Sequence, residues 1–329
     1  MFSRLSRRQL LTGGVAASAT LLLAGCGAGW PAGDPPGSPD AESSPRTITD
    51  PTGRRVAVPA DPQAVLGFYT TDIDIPITLG FTALAPSQPV RDGYASWPSY
   101  FPDEPLEGIE PFVNYPEFNY EAVLAAGPDL ILNGLAHDES TAERLAAIAP
   151  TLSYNGFDGQ DWRVHAEANA ALLGRTAEWQ AWTDTYAAQV AEAKDRIKAS
   201  AAADWTVATV GHLDGVVHVG GSRVPLAGFT DLGMSLHPLM TSEGSSFSTE
   251  KLGELETVDA AFMSVTAGEA GQESHEATLT ALEESPIWRD LPFVRNNRIF
   301  TFDLEMTFGS PNGHAAFIDA VTTTLLEAS

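Results

Sequence analysis

The chain has 329 residues, 43% of them hydrophobic, enough for two ordinary domains or one large one and too apolar for global disorder. It carries 43 Asp and Glu against 18 Lys and Arg, a net charge of −25, which argues against a nucleic-acid partner because phosphate contacts need clustered cations. Its one cysteine excludes an intrachain disulfide, a cysteine zinc finger and a thiol redox pair.

Arg7-Arg8 precedes an apolar stretch from Leu10 to Gly25 that Gly13 and Gly14 interrupt. A stable membrane span needs about 20 apolar residues, so a basic start with this short, glycine-broken run reads as an export signal over 1–25, of the twin-arginine type. Leu23-Ala24-Gly25-Cys26 resembles a lipobox, in which the cysteine is lipidated (thioether-linked acyl chains of the palmitate kind) and becomes the first residue of the mature chain. The expected location is extracytoplasmic, anchored to the cell membrane. Residues 26–45 are rich in Gly, Pro, Ser and Ala without periodicity and read as a flexible tether.

From Arg46 the pattern becomes that of a folded chain. Residues 46–59 alternate like a hairpin around the turn Asp50-Pro51-Thr52-Gly53. Short apolar runs predict strands over 64–69, 81–84 and 129–133, and helices over 71–79, 119–126 and 140–148, the last two stopped by Gly127-Pro128 and Ala149-Pro150. Residues 161–203 read as purely helical, with Trp179, Trp182, Tyr186, Val190 and Ile197 on one stripe and Gly174 as a kink point. Alternation then resumes, with strands over 205–210, 216–219, 260–265 and 298–302 and helices over 225–232, 247–255, 278–284, 287–290 and 314–327. The expected fold is α/β, with two lobes that each carry a mainly parallel central sheet, at 46–165 and 204–329, bridged by one long helix within 166–203.

Several segments, taken in order, resemble one family. They are Thr47-Ile-Thr-Asp-Pro-Thr-Gly53 with Pro59-Ala-Asp-Pro62, Asn119-Tyr-Glu121 running into Pro128-Asp-Leu-Ile-Leu132, Ile148-Ala-Pro-Thr151, Asp161-Trp162, and Pro286-Ile-Trp288 through Arg298-Ile299. Together they are similar to the iron-siderophore class of substrate-binding proteins of ABC importers, and the last segment is most similar to its ferric hydroxamate branch. The resemblance implies two lobes joined by a stiff helix, a ferric siderophore in the cleft between them, no catalysis and no cofactor, a monomer, and permease transmembrane subunits as partners.

It also implies one surface glutamate per lobe that meets permease arginines, at Glu121 and at Glu250 in Phe247-Ser-Thr-Glu250. Cleft candidates in the first lobe are Tyr69, Tyr94, Trp97, Tyr115 and His137; Tyr115 stands where the hydroxamate binders carry an arginine. In the second lobe the Gly-rich segment 220–233 resembles a family segment whose arginine contacts the iron-bound oxygens, which makes Arg223 the strongest candidate; its guanidinium can donate to them. His237, Phe247, Met306 and Phe308 are weaker ones, and Trp288, Trp179 and Trp182 read as core.

The seven histidines form no His-x-x-x-His or Glu-flanked pair, so no direct metal site is predicted. The chain also lacks a G-x-S-x-G elbow, a Walker loop and a dinucleotide fingerprint after a strand. The rival readings are a same-fold binder of haem, cobalamin or a metal ion, and an exported hydrolase. Only Arg91 and Arg223 among the cations fall in loops expected to face a ligand. Few cations in a low-dielectric cleft favour a neutral hydroxamate or mixed siderophore over a tris-catecholate with three negative charges.

Overall fold

A computed structural model describes residues 44–82, 84–85, 97–102, 106–108, 118–135, 138–156, 158–221 and 223–329. The hairpin pairs β1 (Arg46–Thr49) with β2 (Arg55–Val58). Asp50 closes it from inside: its Oδ1 accepts Thr52 N–H and Arg54 N–H, each at 3.0 Å, and its Oδ2 accepts Ser153 N–H at 3.1 Å.

The first sheet is short and wholly parallel, in the order β3 (Val65–Leu66), β4 (Leu130–Asn133), β5 (Thr151–Ser153). All of its residues are buried, as expected for strands covered on both faces. Around it pack α1 (Thr70–Thr78), α2 (Tyr120–Ala126) and α3 (Glu139–Ala146). Asn119 caps α2 by accepting Ala122 N–H at 3.0 Å, and Asp138 caps α3 through Ser140 and Thr141. Of the strand expected over 81–84, Phe81 and Thr82 are not in a strand, and Leu84 makes an isolated parallel bridge to Val65.

The helical stretch divides into α4 (Trp162–Leu173) and α5 (Thr176–Lys198), because Gly174 takes the left-handed conformation, φ +71°, and ends α4. α5 has 23 residues, about 34 Å at 1.5 Å per residue. Its aromatic stripe stacks on itself, with Trp179 on Trp182 and Trp182 on Tyr186, both at 5.2 Å.

The second sheet is mixed and runs β11 (Ile299–Asp303), β10 (Ala260–Val265), β6 (Thr206–Leu213), β7 (Val216–Val219), β9 (Ser245–Ser248), with β8 (Ser235–Leu236) beside the start of β6. β10, β11, β8 and the first half of β6 are parallel; the second half of β6 turns into an antiparallel ribbon with β7 and β9. α6 (Arg223–Asp231), α7 (Glu269–Glu283), α8 (Pro286–Asp290), α9 (Pro292–Arg295) and α10 (Pro311–Glu327) complete this half. The segment expected as a helix over 247–255 instead finishes β9 and enters a 3-10 turn over Thr249–Leu255. The alternating Ser-Ser-Phe-Ser pairs with β7, and Lys251, at φ −103° and ψ 15°, is not helical. Trp288, 1% exposed, belongs to the core of this half.

Candidate functional site

A cleft of about 410 Å³ lies between the two halves, at the C-terminal ends of the parallel strands, where open α/β sheets place their ligands. The first half supplies Tyr69 after β3, Gly134 after β4, and Tyr154, Gly159 and Gln160 after β5. α4 adds Trp162 and His165. The second half supplies Gly221, Arg223 and Val224 around the start of α6, and Thr307 to Gly309 after β11.

The floor is a buried carboxylate. Asp72, on α1, accepts Gly134 N–H at 3.1 Å, the Tyr154 hydroxyl and Phe68 N–H. Burial pushes its carboxyl up to about 6 despite these donors. The same burial, with Asp72 beside it, pushes the Tyr154 phenol well above its ordinary value, so Tyr154 stays protonated and donates to Asp72. Residue 134 must be glycine for this fit, because a Cβ there would lie 2.7 Å from Asp72 Oδ1. The Tyr154 ring packs on His165 at 5.4 Å, and His165 Nε2 lies 3.2 Å from Asp158 Oδ1. Trp162 links the cleft to the α5 stripe, edge-on to Trp182 at 5.8 Å.

The rim crosses the cleft. Arg223 is exposed, and its guanidinium lies against Gly159 of the opposite half. A Cβ at 159 would stand 2.7 Å from Arg223 Nη2, and the φ of +86° there already favours glycine.

Beside the cleft the halves are joined by buried polar pairs. Thr70 donates to Glu305, and Thr71 Oγ1 donates to Phe308 O at 3.0 Å. Asp74 accepts Asn312 N–H at 2.7 Å and Gly313 N–H at 3.3 Å at the start of α10. Burial pushes Asp74, like Asp72, up to about 6. Further along, Asp231 accepts from Arg163 and from the Tyr186 hydroxyl, both at 2.6 Å, and its carboxyl is held below the ordinary range although burial opposes this.

Of the residues singled out from sequence, Tyr69, Arg223 and Phe308 line the cleft together. Tyr94, Tyr115, His137, Arg91 and Cys26 lie outside the described residues. Trp97 is half-buried and packs on the core of the first half, not on the cleft. His237 does not line the cleft either: it is 5% exposed, and its Nδ1 accepts Leu239 N–H at 3.3 Å. Phe247 and Met306 pack against the core of the second half. Glu121 and Glu250 are both exposed, in the first turns of α2 and of the 3-10 turn after β9.

Sequence reasoning does not single out Asp72, Tyr154, Trp162 or His165 as site residues. For Asp72 a signal is present: Asp72 and Asp74 alternate with Ile73 and Ile75 in a helix otherwise built to be buried, and acids there need partners.

Residues 70–305 match the periplasmic binding protein family. The chain belongs to that family. No curated protein matches the sequence. Among solved structures, a periplasmic solute-binding protein from Mycobacterium smegmatis is 20% identical with a TM-score of 0.68, over 87% of this chain and 99% of that one. A FhuD fold-family periplasmic binding component of a ferrichrome ABC transporter from Bacillus subtilis is 20% identical with a TM-score of 0.67, over 85% and 100%. SirA from Staphylococcus aureus, complexed with staphyloferrin B, is 18% identical with a TM-score of 0.67, over 85% and 98%. Among the described residues, no helix is long and apolar enough to cross a membrane.

Proposed function

We propose that this protein captures a ferric siderophore outside the cytoplasm and delivers it to an ABC permease for iron uptake, without catalysing a reaction. The carrying observation is the cleft, where one exposed arginine, Arg223, faces an aromatic wall of Tyr69, Trp162 and Phe308 over a floor whose carboxylate is already hydrogen-bonded. The siderophore and ferrichrome ligands named for the similar structures support the same reading. Arg223 is the only Lys or Arg lining the cleft among the described residues, and Asp72 is also there. That balance favours a neutral hydroxamate or mixed ferric complex, whose arms pack on the aromatic rings while Arg223 donates to iron-bound oxygens.

In this reading Glu121 and Glu250 meet basic residues of the permease, and a lipid on Cys26 holds the protein at the membrane. Native mass spectrometry with ferrioxamine B, ferrichrome and ferric enterobactin tests the ligand class. The first two should bind in preference to the third; retention of ferric enterobactin alone would overturn the hydroxamate reading, and retention of none would count against siderophore capture.

A further inference from the structure

Among the described residues, Leu213 and Leu124 are the most exposed large apolar side chains, at 66% and 64%, ahead of Val164 at 46% and Ile287 at 40%. Single exposed leucines are ordinary on protein surfaces. The position of these two is not. Leu124 stands on α2 three residues after Glu121, so the two are neighbours on one face of the helix, while the buried Val123 anchors the other. Leu213 ends β6 opposite Val216 of β7, which is itself opposite Ser248 of β9. Residues opposite one another across a ladder share a sheet face, and two strand steps span about 10 Å. Glu250 follows Ser248 by two residues and is exposed, and exposed Asp214 adjoins Leu213 in the β6–β7 turn. Leu124 thus stands beside exposed Glu121 on one helix face, and Leu213 beside exposed Asp214, on the sheet face whose far strand, β9, leads into exposed Glu250.

We propose that Leu124 and Leu213 are the apolar contacts of two matching permease-docking patches. Each leucine enters an apolar pocket on the extracytoplasmic face of the permease, and an exposed carboxylate of the same half, Glu121 in the first and Asp214 or Glu250 in the second, meets a basic residue at the pocket rim. This rests on the transport reading above. The occupant follows from charge. Carboxylates flank both leucines on a chain of net charge −25, which disfavours anionic lipid headgroups and a second copy of the same patch and suits a surface bearing Arg or Lys. A desolvated apolar anchor beside a rim charge is the usual anatomy of a strong contact, in which the anchor slows dissociation and the charge speeds encounter.

The test replaces Leu124→Ser and Leu213→Ser, singly and together, with Ile287→Ser as the exposed apolar control. Each variant is produced at wild-type level in cells lacking the native copy, and uptake of radiolabelled iron from ferrioxamine B and ferrichrome is measured. Binding of the same complexes and melting temperature are measured on the purified proteins. The double variant should lose uptake by roughly tenfold or more, the scale of a hot-spot truncation, with ligand binding and melting unchanged and the control within about twofold. Double-variant uptake within twofold of wild type would overturn the inference alone, as would an uptake loss matched by lost ligand binding or by the control. Wild-type protein that supports no uptake would overturn the transport reading and this inference with it.

Discussion

Asp72 and Asp74 sit two residues apart on α1, both buried and both raised to about 6, yet they serve different regions. Asp72 belongs to the cleft, where all its hydrogen bonds come from the first half: Gly134, Tyr154 and Phe68. Asp74 belongs to the joint, where it accepts from Asn312 and Gly313 of the second half. One helix thus fixes the cleft floor within a single half and fastens that half to the other. The difference teaches that the joint is the part of the seam that holds shape, whereas across the cleft the exposed Arg223 rests against Gly159, a contact that a ligand can replace.

Breaking the joint should have the largest effect. Asp74→Ala strands Asn312 N–H and Gly313 N–H at the start of α10 and should lower stability by about 2–4 kcal/mol in chemical denaturation, the range for a lost set of charge-assisted hydrogen bonds. A loss no larger than that of an exposed Asp→Ala control would show that α10 is held by its apolar face alone.

The second test uses proton linkage. In the folded chain Asp74 keeps its proton up to about pH 6, whereas the unfolded chain releases it near pH 4. Its contribution is fully present below that lower value and is lost as pH rises through 6. Across that window its share of the loss approaches about 3 kcal/mol at most, since a tenfold change in proton affinity is worth about 1.36 kcal/mol. Asp74→Asn removes the titration. Stability of wild type relative to the variant should therefore fall from pH 4 to pH 7, and parallel curves would refute the assignment.

At the cleft, Arg223→Ala should weaken ferrioxamine B binding by about 1.5–3 kcal/mol, the worth of a charged hydrogen bond, while changing stability by less than about 0.5 kcal/mol. Tryptophan fluorescence suits the titration because Trp162 lines the cleft and couples to Trp179 and Trp182. Unchanged affinity would leave Arg223 as a rim residue with no hold on the ligand.

The cleft is legible in part from sequence, and the joint hardly at all. Tyr69 can be found because it ends a core strand, and Arg223 because its Gly-rich segment resembles the family's arginine-bearing one. Tyr154 cannot, since its role depends on Asp72, 82 residues away in sequence. Asp74 with Asn312 is harder still, at a separation of 238 residues. The β9 segment reads as a helix in sequence because Phe247 to Leu255 has helix-compatible apolar spacing; pairing with β7 decides otherwise. Alternation of strand and helix, by contrast, carries most of the element order, since burial on both faces leaves a continuous apolar run in sequence.

The smallest effect is expected in the overall shape. Closure on a ligand needs a hinge, yet α1 is tied to the second half at both ends of its polar stripe, by Thr70 to Glu305, Thr71 to Phe308 and Asp74 to Asn312. α5 packs alongside α4, α1 and α10, so a rotation of one half would have to shear a 23-residue helix across both. Packed interfaces of this kind switch between discrete arrangements and do not bend gradually. Adding ferrioxamine B should therefore change the scattering-derived radius of gyration by less than about 1 Å, the scale of preorganised binding. Asp74→Ala should enlarge that change if the joint is what restrains it. A large closure in the wild type would assign the restraint elsewhere, and an equally small one in the variant would transfer it from Asp74 to α5.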